Sequence, residues 1–194
     1  MRGIYKMINA VGREIPEEVL KATGKEAFKG AYAYDNYEYR KAAPKAHAMM
    51  DPKRSKIVEN IHEALVKCEI KDGMTISFHH HFREGDYVVN MVMDEIHKMG
   101  IKDITICASS LGKAHDPIVP MIEDGTVTGI RSSGVRGKIG EAISAGKLKN
   151  LAVMCSHGGR VRAIESGEVH IDIAFIGAPT CDEYGNLRAN GGKS

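Results

Sequence analysis

The chain has 194 residues, of which 43% are hydrophobic and 27% are charged, and its 27 basic and 25 acidic side chains leave a formal net charge of +2. This length and apolar fraction fit one domain with a substantial core. The small net charge argues against nucleic acid as a partner, and the lack of an apolar run of about 18 residues excludes a membrane span.

The four cysteines are far apart in the sequence and form no CxxC pair. This spacing argues against a zinc site, and the N-terminus has no apolar segment typical of a signal peptide. We therefore expect free thiols and a reducing, cytoplasmic location. The cysteines are Cys68, Cys107, Cys155 and Cys181.

Residues 1–50 differ in pattern from the rest of the chain. They contain the tyrosine-rich stretch GAYAYDNYEYRKAAPKAHAMM, which has no clean periodicity. We interpret 1–50 as an N-terminal extended arm whose aromatic side chains anchor it on a surface, such as that of a partner subunit. The alternative is a leader that orders only through local packing. Residues 51–194 then form the folded domain.

Helical patterns recur from residue 51 onward. The first predicted helix has Asp51 as N-cap and Pro52 at its first position, and apolar residues continue at helical spacing to Cys68. A short helix over 116–123 likewise has Asp116 as its cap. The other predicted helices span 87–99 before Gly100, 135–145 before Gly146 and 159–166 before Gly167.

Five short apolar segments alternate with these helices and are predicted strands. This alternation predicts an α/β fold in which a mostly parallel sheet has helices on both faces. Ligands of such sheets bind beyond the carboxyl ends of the strands. The predicted strands span 74–78, 103–108, 126–131, 151–155 and 171–176.

The first strand runs into the segment SFHHHFREGD. Adjacent side chains on an extended chain point to opposite sides, and no acidic or cysteine partner has ligand spacing, so we predict no metal site for its three histidines. Two alternatives remain open: imidazoles that only bond the loop, or a polar site for a carboxylate, thioester or phosphate. Arg83 favours the polar site because a guanidinium suits such anions.

The loops after the second, third and fourth strands are small, hydroxylated or glycine-rich. Such loops let backbone N–H groups approach an anionic ligand, although serine and glycine also cap helices and close turns. The ligand-binding candidates in these loops are Ser109, Ser110, Arg131, Ser132, Ser133, Gly134, Ser156, His157, Gly158 and Gly159.

Several common catalytic motifs are missing from the sequence. No loop matches GxxxxGK[ST], GxGxxG or GxSxG, so a P-loop, a nicotinamide-dinucleotide fold and a serine hydrolase have no support. After the fifth strand, Asp182 and Asn186 predict a tight turn around Gly185. Cys181 has no neighbouring base, so we do not predict it to be a nucleophile.

Three segments resemble one protein family: VGREIPEEV, DGMTISFHHHFREGDYVVNMVMDEIHKMGIKDITICASSL and GEVHIDIAFIGAPTCDEYGN. The family is the citrate lyase alpha subunit, and the resemblance runs from about residue 9 to the end of the chain. SFHHHFR is quite specific to it, whereas APxxDxxGN after a strand is shared with CoA-transferases more widely. The resemblance implies a CoA-transferase-like domain.

The resemblance also implies an activity. Such subunits transfer an acyl-carrier thioester from acetyl to citrate through a mixed anhydride, which gives citryl-carrier and acetate. The implied partners are a beta subunit, which cleaves the citryl thioester to oxaloacetate, and a gamma subunit, the acyl carrier. CoA or the CoA-like prosthetic group of that carrier is expected as a substrate, and no covalently bound cofactor is expected.

Site roles follow from the same resemblance. Backbone N–H groups around Gly134, Gly158 and Gly159 are expected to stabilise the oxyanion of acyl exchange. Pro179, within the APxxDxxGN pattern, is expected to join the substrate- or CoA-binding residues. The residues expected to bind citrate carboxylates or polarise the thioester are His79, His80, His81 and Arg83.

Family alpha subunits are longer and carry a second, related α/β domain, with the active site between the two. We therefore expect the present chain to be inactive or nearly so by itself, and to associate into an oligomer. Two alternatives remain: another thioester enzyme of the same fold, or a non-catalytic fragment that binds a partner subunit. A sugar-phosphate isomerase would need phosphate-loop motifs that the sequence lacks.

Overall fold

The chain forms two compact units, Met1–Arg40 and Lys41–Ser194. The computed structural model of the protein describes residues 6–30, 54–79, 87–188 and 190. None of the helices in these ranges has the length and apolar character needed to cross a bilayer.

Within residues 6–30, the first unit contains an antiparallel hairpin and one short helix. Asn9 forms the turn of the hairpin, because its Oδ1 accepts hydrogen bonds from the backbone N of Val11 at 3.1 Å and of Arg13 at 2.9 Å. These elements were not expected from the sequence, which was interpreted as an extended arm. The tyrosine-rich stretch lies outside the described residues, and the boundary at residue 50 stays a prediction. The elements are β1 (Lys6–Ile8), β2 (Glu14–Pro16) and α1 (Glu17–Thr23).

A five-stranded sheet forms the centre of the second unit. All neighbouring strands pair in parallel, which confirms the predicted sheet. The strand order is β6-β5-β4-β3-β7, so β3, the first of these five strands in the sequence, lies inside the sheet. The strands are β3 (Thr75–His79), β4 (Ile104–Ala108), β5 (Val127–Ser132), β6 (Val153–Met154) and β7 (Ile173–Ile176).

Helices cover both faces of the sheet, as the sequence predicted. Ile106 of β4 belongs to the main core, together with residues of every helix from α2 to α5. Its neighbour Cys107 points to the opposite face and packs in a smaller cluster with Ala163 of α6 and Val169. The helices are α2 (Ile61–Lys67), α3 (Val88–Lys98), a 3-10 helix (Lys113–Ile118), α4 (Val119–Glu123), α5 (Lys138–Ser144) and α6 (His157–Glu165).

Helix α2 begins nine residues later than the expected start at Pro52. Residues 54–60 are not helical, and the predicted cap, Asp51, lies outside the described residues. The observed cap is Asn60, whose Oδ1 accepts a hydrogen bond from the backbone N of Glu63 at 2.9 Å. Glu63 reaches back to the backbone N of Glu59 at 2.8 Å. The two side chains thus accept hydrogen bonds from two backbone N–H groups, one in the first turn and one on the residue before the cap.

The region between β4 and α5 also differs from the prediction. A 3-10 turn begins at Lys113, and Asp116 does not cap its own helix: its Oδ1 accepts a hydrogen bond from the backbone N of Lys138 at 2.8 Å. Helix α5 begins at Lys138 and not at 135, because Val135 is engaged in a parallel β-bridge with Leu111. Helix α6 begins two residues earlier than predicted, at His157.

The segment after β7 forms a small antiparallel hairpin of β8 (Thr180–Cys181) and β9 (Leu187–Arg188). The Asp182 carboxylate accepts hydrogen bonds from the backbone N of Tyr184 and of Asn186, both at 2.9 Å, and from Asn186 Nδ2 at 2.7 Å. The backbone N of Gly185 donates to the Asp182 carbonyl at 3.2 Å. The predicted turn around Gly185 is confirmed.

Candidate functional site

The loops that follow β4 and β5 are bonded to each other at the carboxyl edge of the sheet. The backbone N of Ser133 donates to the Ser109 carbonyl at 3.1 Å, and Leu111 N donates to the Gly134 carbonyl at 3.0 Å. The buried Ser132 hydroxyl donates to the Gly134 carbonyl at 2.9 Å. These contacts bring the predicted residues Ser109, Ser132, Ser133 and Gly134 together.

The start of α6 lies next to these loops. The backbone N of Cys155 donates to the Ser132 carbonyl at 3.0 Å, which attaches the loop before α6 to the end of β5. Ser156 is the N-cap, and its Oγ accepts a hydrogen bond from the backbone N of Gly159 at 3.0 Å. Ser156, His157 and Gly158 are exposed, so the positive end of this helix is open to a ligand.

The three expected oxyanion donors differ in availability. The backbone N of Gly134 donates to Ser132 Oγ at 3.2 Å, and that of Gly159 donates to Ser156 Oγ, so both amides have acceptors within the protein. The amides of His157 and Gly158 are the first two of α6, and neither has an acceptor within the described part of the chain. These two amides are therefore available as donors at this edge.

Arg160 connects α6 to the sheet and was not among the predicted site residues. Its Nη2 donates to Ser77 Oγ at 2.9 Å and to the Cys107 carbonyl at 3.1 Å, its Nη1 to Ser109 Oγ at 3.5 Å, and its Nε to Cys107 Sγ at 3.4 Å. The guanidinium therefore bonds two adjacent strands, β3 and β4, and the loop after β4. A sequence signal was present: Arg160 is three positions before Ala163, so both lie on the sheet-facing side of α6.

The other predicted residues are more dispersed. His79 ends β3, is exposed, and its carbonyl accepts a hydrogen bond from the backbone N of Gly177 at 3.2 Å, which connects it to the end of β7. Pro179 lies exposed two residues further on, and Ser110 is exposed after β4. Arg131 is half-buried on β5, in register with Cys107. His80, His81 and Arg83 lie outside the described residues.

No group of three or more His, Cys, Asp or Glu side chains could hold a metal ion within the described ranges. What these ranges present at the carboxyl edge is a set of hydroxyls, backbone N–H groups and guanidinium groups. Such groups bind anions and stabilise negative charge that develops on an oxygen atom.

A family profile described as "Citrate lyase, alpha subunit" matches residues 54–194. The chain is 48% identical over 164 residues to the citrate lyase alpha chain of Haemophilus influenzae, a match that covers 84% of this chain and 33% of the relative. It is 50% identical over 139 residues to the citrate lyase alpha chain of Escherichia coli, a match that covers 72% of this chain and 27% of the relative.

The fold is also similar to that of a solved structure. This is a crystal structure from Streptococcus mutans, described as the alpha subunit of citrate lyase in complex with citrate. The TM-score is 0.74 at 49% sequence identity, and the match covers 95% of this chain and 35% of the other. The chain spans about a third of the length of these relatives. The extent of the profile match shows that the chain belongs to the citrate lyase alpha subunit family.

Proposed function

We propose that the chain supplies one part of a transferase site that moves an acyl-carrier thioester from acetyl to citrate. The observation that carries this proposal is the similarity, at 49% identity over 95% of the chain, to a citrate-bound alpha subunit. The described geometry supports it, because exposed helix amides, hydroxyls and a fixed guanidinium converge where α/β sheets bind ligands.

The reaction that we propose has two balanced steps. A citrate carboxylate oxygen attacks the acetyl thioester carbonyl, a C–O bond forms, the C–S bond breaks, and the carrier leaves as a thiolate. The thiolate then attacks the citryl carbonyl of the mixed anhydride, which releases acetate and leaves citryl-carrier. Each step passes through a tetrahedral oxyanion, and no oxidant or reductant is needed.

The residues of this chain have separate roles in the proposal. The amides of His157 and Gly158 at the start of α6 stabilise the oxyanion, since preorganised N–H donors act strongly on charge that develops during reaction. His79, His80, His81 and Arg83 bind citrate carboxylates or polarise the thioester. The substrate thioester is that of CoA or of a CoA-like group on a gamma subunit, and a beta subunit cleaves the product.

The test is an exchange assay with acetyl-CoA as the carrier substitute and with or without citrate. Three proteins are compared: this chain alone, the Haemophilus influenzae alpha chain, and a chimera in which this chain replaces the matching third of that relative. We expect citryl-CoA from the relative and the chimera, and little or none from this chain alone.

Two variants of the chimera test the assignment of the histidine segment. We expect His80→Ala and Arg83→Ala each to lower the exchange rate, because they remove groups assigned to citrate or the thioester. Unchanged rates in both variants would contradict that assignment. If the chimera folds but shows no citrate-dependent exchange, while the Haemophilus influenzae alpha chain is active in the same assay, the proposed transferase function would be contradicted.

A further inference from the structure

A small cavity between α6 and the sheet has an excess of positive side chains. Its volume is about 80 Å³, and the described residues that line it include three arginines but only one carboxylate, that of Glu168. Glu168 is paired with Arg162, with 2.7 Å between Oε2 and Nη2. Within the described part of the chain, Arg131 and Arg160 form no ion pair. Two guanidinium groups at this cavity thus have no counter-anion among the residues that the structure describes.

Arg160 is held in place at the cavity by neutral acceptors. Four N–H contacts join it to Ser77, Cys107 and Ser109, and the residue is half-buried. A guanidinium has five N–H donors, so capacity for a further acceptor remains. A cation that is partly removed from water without a counter-charge is costly, and a bound anion offsets this cost. The positive end of α6 acts in the same direction.

Arg131 reaches the cavity from the sheet. It lies on β5 in register with Cys107 of β4 on one side and Val153 of β6 on the other. It is half-buried, and its side chain makes no hydrogen bond with any residue in the described ranges. The planar fork of its guanidinium therefore remains available, and this fork matches the two oxygens of a carboxylate.

The volume of the cavity limits the size of the anion. A cavity of about 150 Å³ accommodates benzene, which has six heavy atoms, so about 80 Å³ holds three or four. Formate and acetate have this size, whereas six-carbon citrate is far larger. The cavity adjoins the exposed carboxyl edge to which citrate is assigned, because Arg160 lines the cavity and also contacts Ser109 at that edge.

We propose that the cavity between α6 and the sheet binds a small monocarboxylate, of the size of acetate, through Arg131 and Arg160. The inference of an anion-binding site depends only on the cavity and its charged side chains. The choice of acetate rests on the proposed function, in which each exchange releases acetate. The cavity then holds the leaving acid a short distance from the edge where the thioester reacts.

The experiment uses the 194-residue chain labelled with ¹⁵N. Sodium acetate replaces sodium chloride at constant ionic strength, and the amide signals of Cys107 and Gly159 are followed by NMR. We expect saturable shifts with acetate and formate, and none with citrate or inorganic phosphate. Arg131→Gln is expected to raise the dissociation constant at least about tenfold, because a charge-assisted hydrogen bond is lost. Arg188→Gln, an exposed arginine of β9, is the control and keeps the affinity.

A second variant tests the cavity without a change of charge. Ala163 lines it from α6, so Ala163→Leu fills part of its volume and is expected to abolish the shifts. Absence of saturable shifts in the unmodified chain would overturn the proposal, as would full affinity in Arg131→Gln or equal saturation by phosphate. If the chimera catalyses citrate-dependent exchange but the 194-residue chain does not bind acetate, only the acetate site is overturned. If the chain binds acetate but the chimera shows no exchange, only the proposed function is overturned.

Discussion

The first backbone amide of α6 can be deleted with little strain. Ser156, the residue before it, has φ −65° and ψ 164°, which is the extended conformation that a residue before proline prefers. Proline is tolerated at the first helical position, where its missing N–H has no intrahelical acceptor. His157 occupies this position. His157→Pro thus removes one N–H donor, and His157→Ala removes only the imidazole.

We expect His157→Pro to lower the exchange rate of the active chimera by about 10²–10³-fold, the usual effect of losing one oxyanion donor. His157→Ala should stay close to the unmodified rate. The measurement is kcat at saturating citrate, with the melting temperature of each variant as the control for folding. Similar rates in the two variants would assign the oxyanion to donors other than this amide.

Single residues of the site differed in how well the sequence predicted them. Ser156 and the glycines after it were identified because a serine before glycines at a strand end indicates both a cap and an open amide. Arg160 was missed, because an arginine inside a helix is normally solvated, and only the placement of α6 against β3 and β4 gives it Ser77 and Cys107 as acceptors. Contacts between distant segments of this kind have no local sequence pattern.

Short elements show competition between similar local signals. Both Asp51-Pro52 and Asn60 with Glu63 are good helix starts, and the second is the observed one. The side chains of Asn60 and Glu63 accept hydrogen bonds from two backbone N–H groups, those of Glu63 and Glu59, whereas a single cap satisfies one. The long helix α3 and the five strands were predicted to within a few residues because their apolar patterns are continuous.

The β8–β9 hairpin depends on one ionised carboxylate. Hydrogen bonds from the Asn186 side chain, and then from the backbone N–H groups of Asn186, Tyr184 and Gly185, hold the pKa of Asp182 below its usual 3.8. A folded-state pKa below the unfolded value means that the carboxylate stabilises the hairpin above about pH 3.8. This contribution is lost as the pH falls below that value through the lowered pKa.

We expect hydrogen exchange at the Asn186 amide to accelerate as the pH falls below 3.8, relative to amides elsewhere in the chain. Asp182→Asn is the control: it keeps one acceptor oxygen but cannot titrate in this range. Its hairpin should be weaker at neutral pH and should show no additional opening in acid. The same acid response in both proteins would assign the effect to other carboxylates.

The packing of the whole α/β unit can be tested with two methionines of α3. Met93 is fully buried in the main core, whereas Met91, on the other side of the helix, is 56% exposed. We expect Met93→Ala to lower the free energy of unfolding by about 2–5 kcal/mol, since it leaves a cavity. Met91→Ala should change it by no more than about 0.5 kcal/mol.

Urea unfolding of both variants gives these values. Because the two substitutions are chemically identical and lie in one helix, helix propensity cancels in the comparison. Equal effects would mean that α3 packs on the sheet through a different face. The comparison therefore tests which face of α3 packs on the sheet, and not only whether the helix forms.

The strand order has a consequence for the chain as it is synthesised. Strand β3 is synthesised before the other strands of the five-stranded sheet, yet one of its two edges pairs with β7, whose residues follow 97 positions later. At about 5–20 residues per second, roughly 5–20 s pass before that edge can close. During this time the edge next to Ile76 and Phe78 has unpaired backbone groups, which can pair with another chain. The nascent protein is thus most prone to aggregation before β7 emerges, and during this time we expect chaperones to protect the unpaired edge of β3.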